Sequence, residues 1–419
     1  MAAFLSTSDL FKNVMKTMKE AGEIANISPN ALERLKTPRR SIMVSIPVSM
    51  DDGNIKVFTG YRVQHNQTLG PFKGGLRYHE TVNLSEVAGL ATLMTMKTSL
   101  LQLPLGGAKG GVEVDPSKLS NHELEKLTRS FATELGPFIG PDKDIPAPDV
   151  GTDSQTMAWI LDTYSSESGY AQTGVVTGKP VEIGGSLGRD SATGLGVVYT
   201  IEKALETRNE NIKDVTIAIQ GFGKVGLHAA NEAFALGGKI VSVSDVEGAI
   251  YNPEGLNIRE LIQFSHEKGS VIGFPGAKAI TNDELLFLDV DVLAPCALDG
   301  VINSINVNNV RAKIIVEGAN GPVTANASHI LNSNGIMVVP DILANGGGVV
   351  VSYFEWVQDL DWHFWEEATV RGKLKSVMYK SFDKVWSFSK EHHKDMRTSA
   401  MAVALLRLEK ALKLRGQAW

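Results

Sequence analysis

Between residues 215 and 339 the sequence holds five apolar runs of strand length, at 215–219, 240–243, 290–293, 314–316 and 337–339, separated by helix-length spacers. Strands that alternate with helices in this way build right-handed βαβ units around a mostly parallel sheet, so the chain is expected to be an α/β protein. The first run leads directly into Gly221-Phe-Gly223-Lys224-Val225-Gly226, and a helical pattern follows. In a dinucleotide site the first glycine makes the turn, the second lets the backbone approach a pyrophosphate, and the third permits close helix packing. Asp245 closes the next run nineteen positions after Gly226, where a carboxylate accepts hydrogen bonds from an adenosine ribose. With Glu247 nearby it would repel a 2′-phosphate, so NAD is the expected cofactor. Lys224 inside the loop softens that repulsion and leaves NADP open.

Residues before 184 have a different texture. A short amphipathic helix is expected over 8–24, then a hairpin from β-rich stretches at 41–48 and 55–63 around an Asp51-Asp-Gly53 turn. Helical patterns at 84–101 and 122–135 follow, with glycine-dense and proline-containing loops at 103–111 and 144–151. After Asn345-Gly-Gly-Gly348 three helical patterns occupy the rest. The expected organisation is an N-terminal α/β domain over 1–183, a Rossmann-like dinucleotide-binding domain over 184–346, and C-terminal helices over 347–419 that pack back across the hinge.

Composition narrows the function classes. With 41 Lys+Arg against 47 Asp+Glu, a net charge of −6 and no basic tail, a nucleic-acid partner is disfavoured. The lone cysteine, Cys296, beside Pro295, rules out an intrachain disulfide framework and a multi-cysteine zinc site, and reads as a small core residue. The first twenty residues lack the apolar stretch of a secretory signal and carry Asp9 and Glu20. No run approaches the roughly 18 apolar residues of a membrane helix. A soluble, cytoplasmic protein is expected. Glycine stands out, at 41 of 419 residues against an ordinary share of about 7%.

Three lysines draw attention: Lys73 in Gly70-Pro-Phe-Lys-Gly-Gly75, Lys97 in the first long helical pattern, and Lys109 in Gly106-Gly-Ala-Lys-Gly-Gly111. A surface lysine is ordinarily a solvated charge. Flanking glycines let a substrate reach the ammonium, and poor solvation would lower its pKa. Asp149, between Pro148 and Val150, is a candidate proton-transfer partner; its plainer reading is an N-cap for a following helix. Gly184-Gly-Ser186-Leu-Gly188 matches a nucleophile elbow in form, but only a short run precedes it and no His or acid partner is identifiable. His392-His393 beside Glu391 point about 100° apart on a helix, so no metal site is expected there.

Taken together these motifs resemble the glutamate dehydrogenases of the hexameric type, within the glutamate, leucine, phenylalanine and valine dehydrogenase family. The resemblance runs from about residue 8 to the end. It is carried by Gly60-Tyr-Arg-Val-Gln-His65, Gly70-Pro-Phe-Lys-Gly-Gly-Leu-Arg77, the 103–111 run, Ile145-Pro-Ala-Pro-Asp149, Ala192-Thr-Gly194, Glu317-Gly-Ala-Asn-Gly-Pro322, Pro340-Asp-Ile-Leu-Ala-Asn345 and Ser352-Tyr-Phe-Glu-Trp356.

The resemblance implies that Lys109 polarises the substrate carbonyl and water, and that Asp149 moves protons. It implies that Lys97 binds the α-carboxylate, that Lys73 and Ser352 bind the side-chain carboxylate, and that Thr193 and Asn320 position the nicotinamide. The implied reaction is reversible oxidative deamination of L-glutamate to 2-oxoglutarate and ammonium, aligned by closure between the two domains. The first domain would bind substrate and carry oligomerisation into a homohexamer. Relatives acting on leucine, valine or phenylalanine have an apolar residue where Lys73 stands, which argues for glutamate. Met94 stands where many relatives have a carboxylate-contacting glutamine, and Lys224 where asparagine is usual. A catalytically silent subunit of a mixed hexamer is the alternative, opposed by the presence of both Lys109 and Asp149.

Overall fold

A computed structural model describes residues 8–417, and the chain forms two compact units. One gathers the chain through Arg189, then Val351–Val370, then the segment from Met401 onward; the other gathers Asp190–Val350 and Arg371–Ala400.

In the first unit, helix α1 (Asp9–Ile24) starts at Ser8, whose hydroxyl accepts from the Phe11 amide, and α2 (Pro29–Lys36) starts at Ser28 in the same way with proline in its first turn. Strands β1 (Arg40–Ser49) and β2 (Ile55–Asn66) form the expected antiparallel hairpin. Next come β3 (Phe72–His79), α3 (Leu84–Leu100), β4 (Gly107–Glu113), α4 (Asn121–Leu135), β5 (Asp144–Pro148) and α5 (Ser154–Ser168). The sheet order is β1-β2-β4-β3-β5, with β3 parallel to both β4 and β5. Phe58, Leu76, Tyr78, Leu127, Phe131 and Met157 lie in the core that closes one face of this sheet.

Three of these strands correct the sequence reading, which placed loops at 103–111 and 144–151 and did not assign 72–79. The glycines are in the sheet because neighbouring backbone lies where a side chain would be. A Cβ on Gly74 would fall 1.6 Å from the Ala108 carbonyl oxygen, and one on Gly107 would fall 2.2 Å from the Thr95 amide of α3. Glycine has low intrinsic strand preference, but here close approach of backbone from a neighbouring strand or helix decides.

The second unit begins with α6 (Ala192–Glu206), β6 (Thr216–Gln220), α7 (Lys224–Ala235), β7 (Lys239–Ser244), β8 (Ala249–Tyr251), α8 (Ile258–Lys268) and β9 (Lys278–Ile280). It continues through α9 (Asn282–Leu286), β10 (Val292–Pro295), β11 (Ile314–Val316), α10 (Ala325–Ser333), β12 (Met337–Val339) and α11 (Asp341–Ala344). The sheet order is β12-β11-β10-β6-β7-β8-β9. Its first five strands are parallel, as the alternation implied; β8 and β9 add an antiparallel edge that the sequence reading lacked. Three helices complete the chain: α12 (Gly347–Asp361), α13 (Glu367–His392) and α14 (Met396–Leu414).

Within the first unit the later part of α14 meets the end of α3 and the start of α2. Arg407 donates to the carbonyls of Thr98, Ser99 and Leu103, so a cation caps the buried C-terminal end of α3. Ser99 Oγ donates to the Ala404 carbonyl and the Ser28 amide to Glu409, both at 2.8 Å.

Candidate active site

In the first unit, strands β3, β4 and β5 place Lys73, Lys109 and the residue following β5, Asp149, on adjacent backbones. Lys109 pairs with Val63 across β2, and Lys73 stands opposite Ile145. Lys109 Nζ lies 2.8 Å from Asp149 Oδ1, and Arg77 Nε donates to Asp149 Oδ2 at 2.8 Å. Arg77 also pairs with Glu86, 2.9 Å away. A Cβ on Gly75 would sit 2.9 Å from the Asp149 Cβ and 3.3 Å from Lys109 Nζ, so this glycine leaves room for the pair to meet. Burial pushes the Lys109 ammonium below its ordinary pKa, with Asp149 pulling the other way. Burial acts upward on the Asp149 carboxyl, but Lys109 and Arg77 outweigh it and hold it at about 2. Asp149 is therefore ionised beside a weakened lysine. It is not a helix cap, since Asp153 caps α5.

Lys73 is 1% exposed, and its ammonium donates to the carbonyls of Ile145 and Pro146 at 3.1 and 3.4 Å. Burial and then the charges of Arg189 and Arg62 depress its pKa well below the usual lysine value, against the pull of Glu355 and Asp144. Arg62, fully buried, forks onto Asp144 and donates to the Gly74 carbonyl at 3.1 Å, which ties β2 to the strands bearing Lys73 and Asp149. On α12, Ser352 is buried and its hydroxyl accepts from Arg189 Nε at 3.0 Å. Lys97 stands half-buried in the last turn of α3, the turn that Arg407 caps.

The glycine loop of the second unit leaves β6 at the point where strand order reverses, with β7 on one side and β10 on the other, the usual place for a ligand in an open α/β sheet. Gly221 makes the turn at φ +93°, and a Cβ on Gly226 would fall 1.8 Å from the Gly221 carbonyl oxygen. Gly223 stands at the N-cap of α7, where no side chain caps the helix and a Cβ would meet nothing within 4 Å. Open space before bare helix amides fits a pyrophosphate. Lys224 and Val225 are the first residues of α7; the Lys224 ammonium lies on the exposed surface 2.6 Å from Asp190. Asp245, half-buried, accepts from the Glu247 amide at 2.8 Å, from Ser270 Oγ at 2.8 Å and from the Val271 amide at 2.7 Å. Thr193 occupies the first turn of α6, which also lacks a side-chain cap, and Asn320 follows β11.

Two family models match the chain: "Glutamate/Leucine/Phenylalanine/Valine dehydrogenase" over residues 184–416, and "Glu/Leu/Phe/Val dehydrogenase, dimerisation domain" over residues 38–166. A glutamate dehydrogenase of Thermotoga maritima is 50% identical over 408 residues, spanning 97% of this chain and 98% of that protein. The chain belongs to the glutamate dehydrogenase family. Among solved structures, the hetero-hexameric glutamate dehydrogenase from Thermus thermophilus in its Leu-bound form superposes with TM-score 0.93 at 40% identity, covering 99% of both chains. The glutamate dehydrogenase from Peptoniphilus asaccharolyticus superposes with TM-score 0.88 at 37% identity, covering 97% of this chain and all of that one. The resemblance read from the motifs and the two-domain α/β fold are thereby shown, and the chain is an oxidoreductase of this family.

Some residues in these family folds escaped the motif reading. Arg189 follows the Gly184–Gly188 cluster as its only cation, and that was the available signal. Arg77 and Arg62 lay inside quoted motifs, but their partners Asp149 and Asp144 are remote in sequence. Ser186 donates to the Leu187 carbonyl and accepts from Gln358, an arrangement that gives it no activating base. His392 stacks on Phe388 at a centroid distance of 4.1 Å.

Proposed function

We propose that the chain is a glutamate dehydrogenase that prefers NAD and catalyses the reversible conversion of L-glutamate, water and the oxidised coenzyme into 2-oxoglutarate, ammonium, the reduced coenzyme and a proton. The observation that carries the reading is buried Lys73 under the charge of Arg189, which itself donates to Ser352, on the strand next to the one that bears Lys109 with its partner Asp149. A dicarboxylate needs a fixed cation for each end and donors at the reacting carbon. Lys73, Ser352 and Arg189 suit the side-chain carboxylate, because a buried cation is costly beside an aliphatic substrate and compensated by an anionic one. Lys97 takes the α-carboxylate.

A bound nicotinamide would supply the acceptor for a hydride from the substrate Cα. Lys109 polarises the resulting C=N group and activates water against it, for which a lysine weakened by burial is suited. Asp149, held ionised, takes the proton from the substrate ammonium and returns it to departing ammonia. Arg77 holds the Asp149 carboxylate in place during these transfers. Gly221, Gly223, Val225 and Gly226 would cradle the pyrophosphate, and Thr193 and Asn320 would hold the carboxamide. Asp245 takes the ribose hydroxyls. NAD preference is supported by the Asp245 carboxylate together with the engagement of Lys224 by Asp190, although an exposed pair of that kind holds the lysine only weakly.

A homohexamer is the proposed assembly. Exposed Met43, Ile55 and Val57 form an apolar surface on the β1–β2 hairpin, within the residues matched by the dimerisation-domain model. Light scattering after gel filtration checks the stoichiometry. Among the described residues no helix is long and apolar enough to cross a membrane.

Initial rates with 2-oxoglutarate and ammonium, measured with NADH and NADPH side by side, test the reading. Faster NADH oxidation is expected; oxidation of neither coenzyme sinks the enzyme assignment and returns the silent-subunit alternative, whereas a faster NADPH rate removes only the cofactor preference.

A further inference from the structure

Asn320 sits on the loop Glu317-Gly-Ala-Asn-Gly-Pro322 that follows β11, and the structure fixes that loop from below through a buried charge network. Glu317 is fully buried; its Oε2 accepts from the Asp341 amide at 2.8 Å, and its Oε1 pairs with the Arg397 guanidinium. Asp341 in turn accepts from the Gly321 amide at 2.9 Å, and one of its oxygens lies 3.9 Å from Arg397. The loop is thus held at Glu317 and again at Gly321, on either side of Asn320. Between these anchors Asn345 Nδ2 donates to the Ala319 carbonyl at 3.1 Å and to Asn320 Oδ1 at 3.0 Å. With its oxygen engaged by Asn345, exposed Asn320 has its Nδ2 group to donate with, the polarity that matches the carbonyl oxygen of a nicotinamide carboxamide.

We propose that Arg397 is a positioning residue for the nicotinamide end of the coenzyme, acting through Glu317 and Asp341 on the loop that presents Asn320. The inference rests on the role given to Asn320 above. Its physical basis is that an ion pair with its carboxylate fully buried and its guanidinium mostly so is a weak source of stability, whereas directed hydrogen bonds fix one loop geometry. Arg397 is eighty residues from Glu317 in sequence and reaches it from the start of α14, so no local motif contains the device. Burial also pushes the Glu317 carboxyl up to about 7, against the pull of Arg397. Removing the arginine therefore leaves a carboxyl that takes up a proton, so the variant is not left with an isolated buried charge.

The test uses the intact oligomer with Arg397→Met, Arg397→Lys and Asn320→Ala, reading the NADH dissociation constant by fluorescence titration, the KM for glutamate, and Tm. Expected are about tenfold weaker NADH binding in Arg397→Met, a smaller loss in Arg397→Lys, and a glutamate KM within twofold of the parent. A folded Arg397→Met protein with NADH affinity within twofold of the parent overturns the proposal. So does a glutamate KM that rises as much as the NADH constant, because that reports general loosening. Should Arg397→Met fail to fold, Arg397→Lys decides, and unchanged NADH affinity in it overturns the proposal. If Asn320→Ala leaves NADH binding intact, the carboxamide assignment itself falls; if Asn320→Ala weakens binding while the Arg397 variants do not, only the positioning role falls.

Discussion

At the scale of single residues, reactivity is set by two lysines placed in different electrostatic surroundings. Lys109 faces a carboxylate, whereas Lys73 faces backbone carbonyls with two guanidiniums among its neighbours. Removing Asp149 deletes the influence that holds the Lys109 pKa up, so Asp149→Asn is expected to move the lysine limb of the kcat–pH profile to lower pH and to cut kcat by about 10²–10⁴. An unmoved limb would show that Lys109 is not the titrating group. Lys73→Leu deletes a buried cation, and a stable fold with glutamate turnover reduced at least a hundredfold is expected. Circular dichroism with steady-state rates checks it, and undiminished turnover would remove Lys73 from carboxylate recognition. Both lysines were legible because glycines flank them. Arg189 and Arg77 were not, since nothing in a sequence says which distant carboxylate or hydroxyl a guanidinium will meet.

At the scale of elements, the surplus of glycine separates into three physical kinds. Gly74 and Gly107 let neighbouring backbone come close, from the adjacent strand and from α3 respectively, Gly223 leaves space in front of a helix, and Gly53 permits a turn at φ +84° with nothing near it. Alanine at each position therefore has a different expected outcome. Gly74→Ala drives a methyl into the β4 backbone and should prevent folding of the first unit. Gly223→Ala should leave Tm nearly unchanged and weaken NADH binding, whereas Gly53→Ala should cost about 1 kcal/mol of stability and leave binding intact. Thermal melts and NADH titrations separate the three; unaltered NADH affinity in Gly223→Ala would remove the pyrophosphate cradle. The strand–helix alternation after residue 215 was legible because those strands are apolar and continuous. β3, β4 and β5 were missed for the opposite reason: glycine and proline carry no alternating pattern, and what makes them strands is the backbone packed against them.

At the scale of the whole molecule, stability depends on pH through buried carboxyls in each unit. Glu317 and Asp359, ordinarily at 4.5 and 3.8, are both pushed up to about 7 by burial, Asp359 in the first unit beside Lys179 and Glu355. Between their unfolded and folded values the native chain binds the proton more tightly than the unfolded chain. Their stabilising contribution is therefore complete below about pH 4 and is lost as pH rises through 7. Buried His65, pushed down to about 4, acts in the opposite sense, losing stability as pH falls below 6.5. Asp359→Asn should accordingly narrow the Tm difference between pH 5.5 and pH 8 relative to the parent; an unchanged difference would show that Asp359 stays ionised throughout.

The return of α14 to α3 also bears on how the chain is made. Ser99 and its partner Ala404 are separated by 305 positions, so on the ribosome α3 emerges long before the helix it packs against. During that interval the Thr98, Ser99 and Leu103 carbonyls lack the guanidinium of Arg407. A stop near residue 400 would therefore damage a segment translated 305 residues earlier.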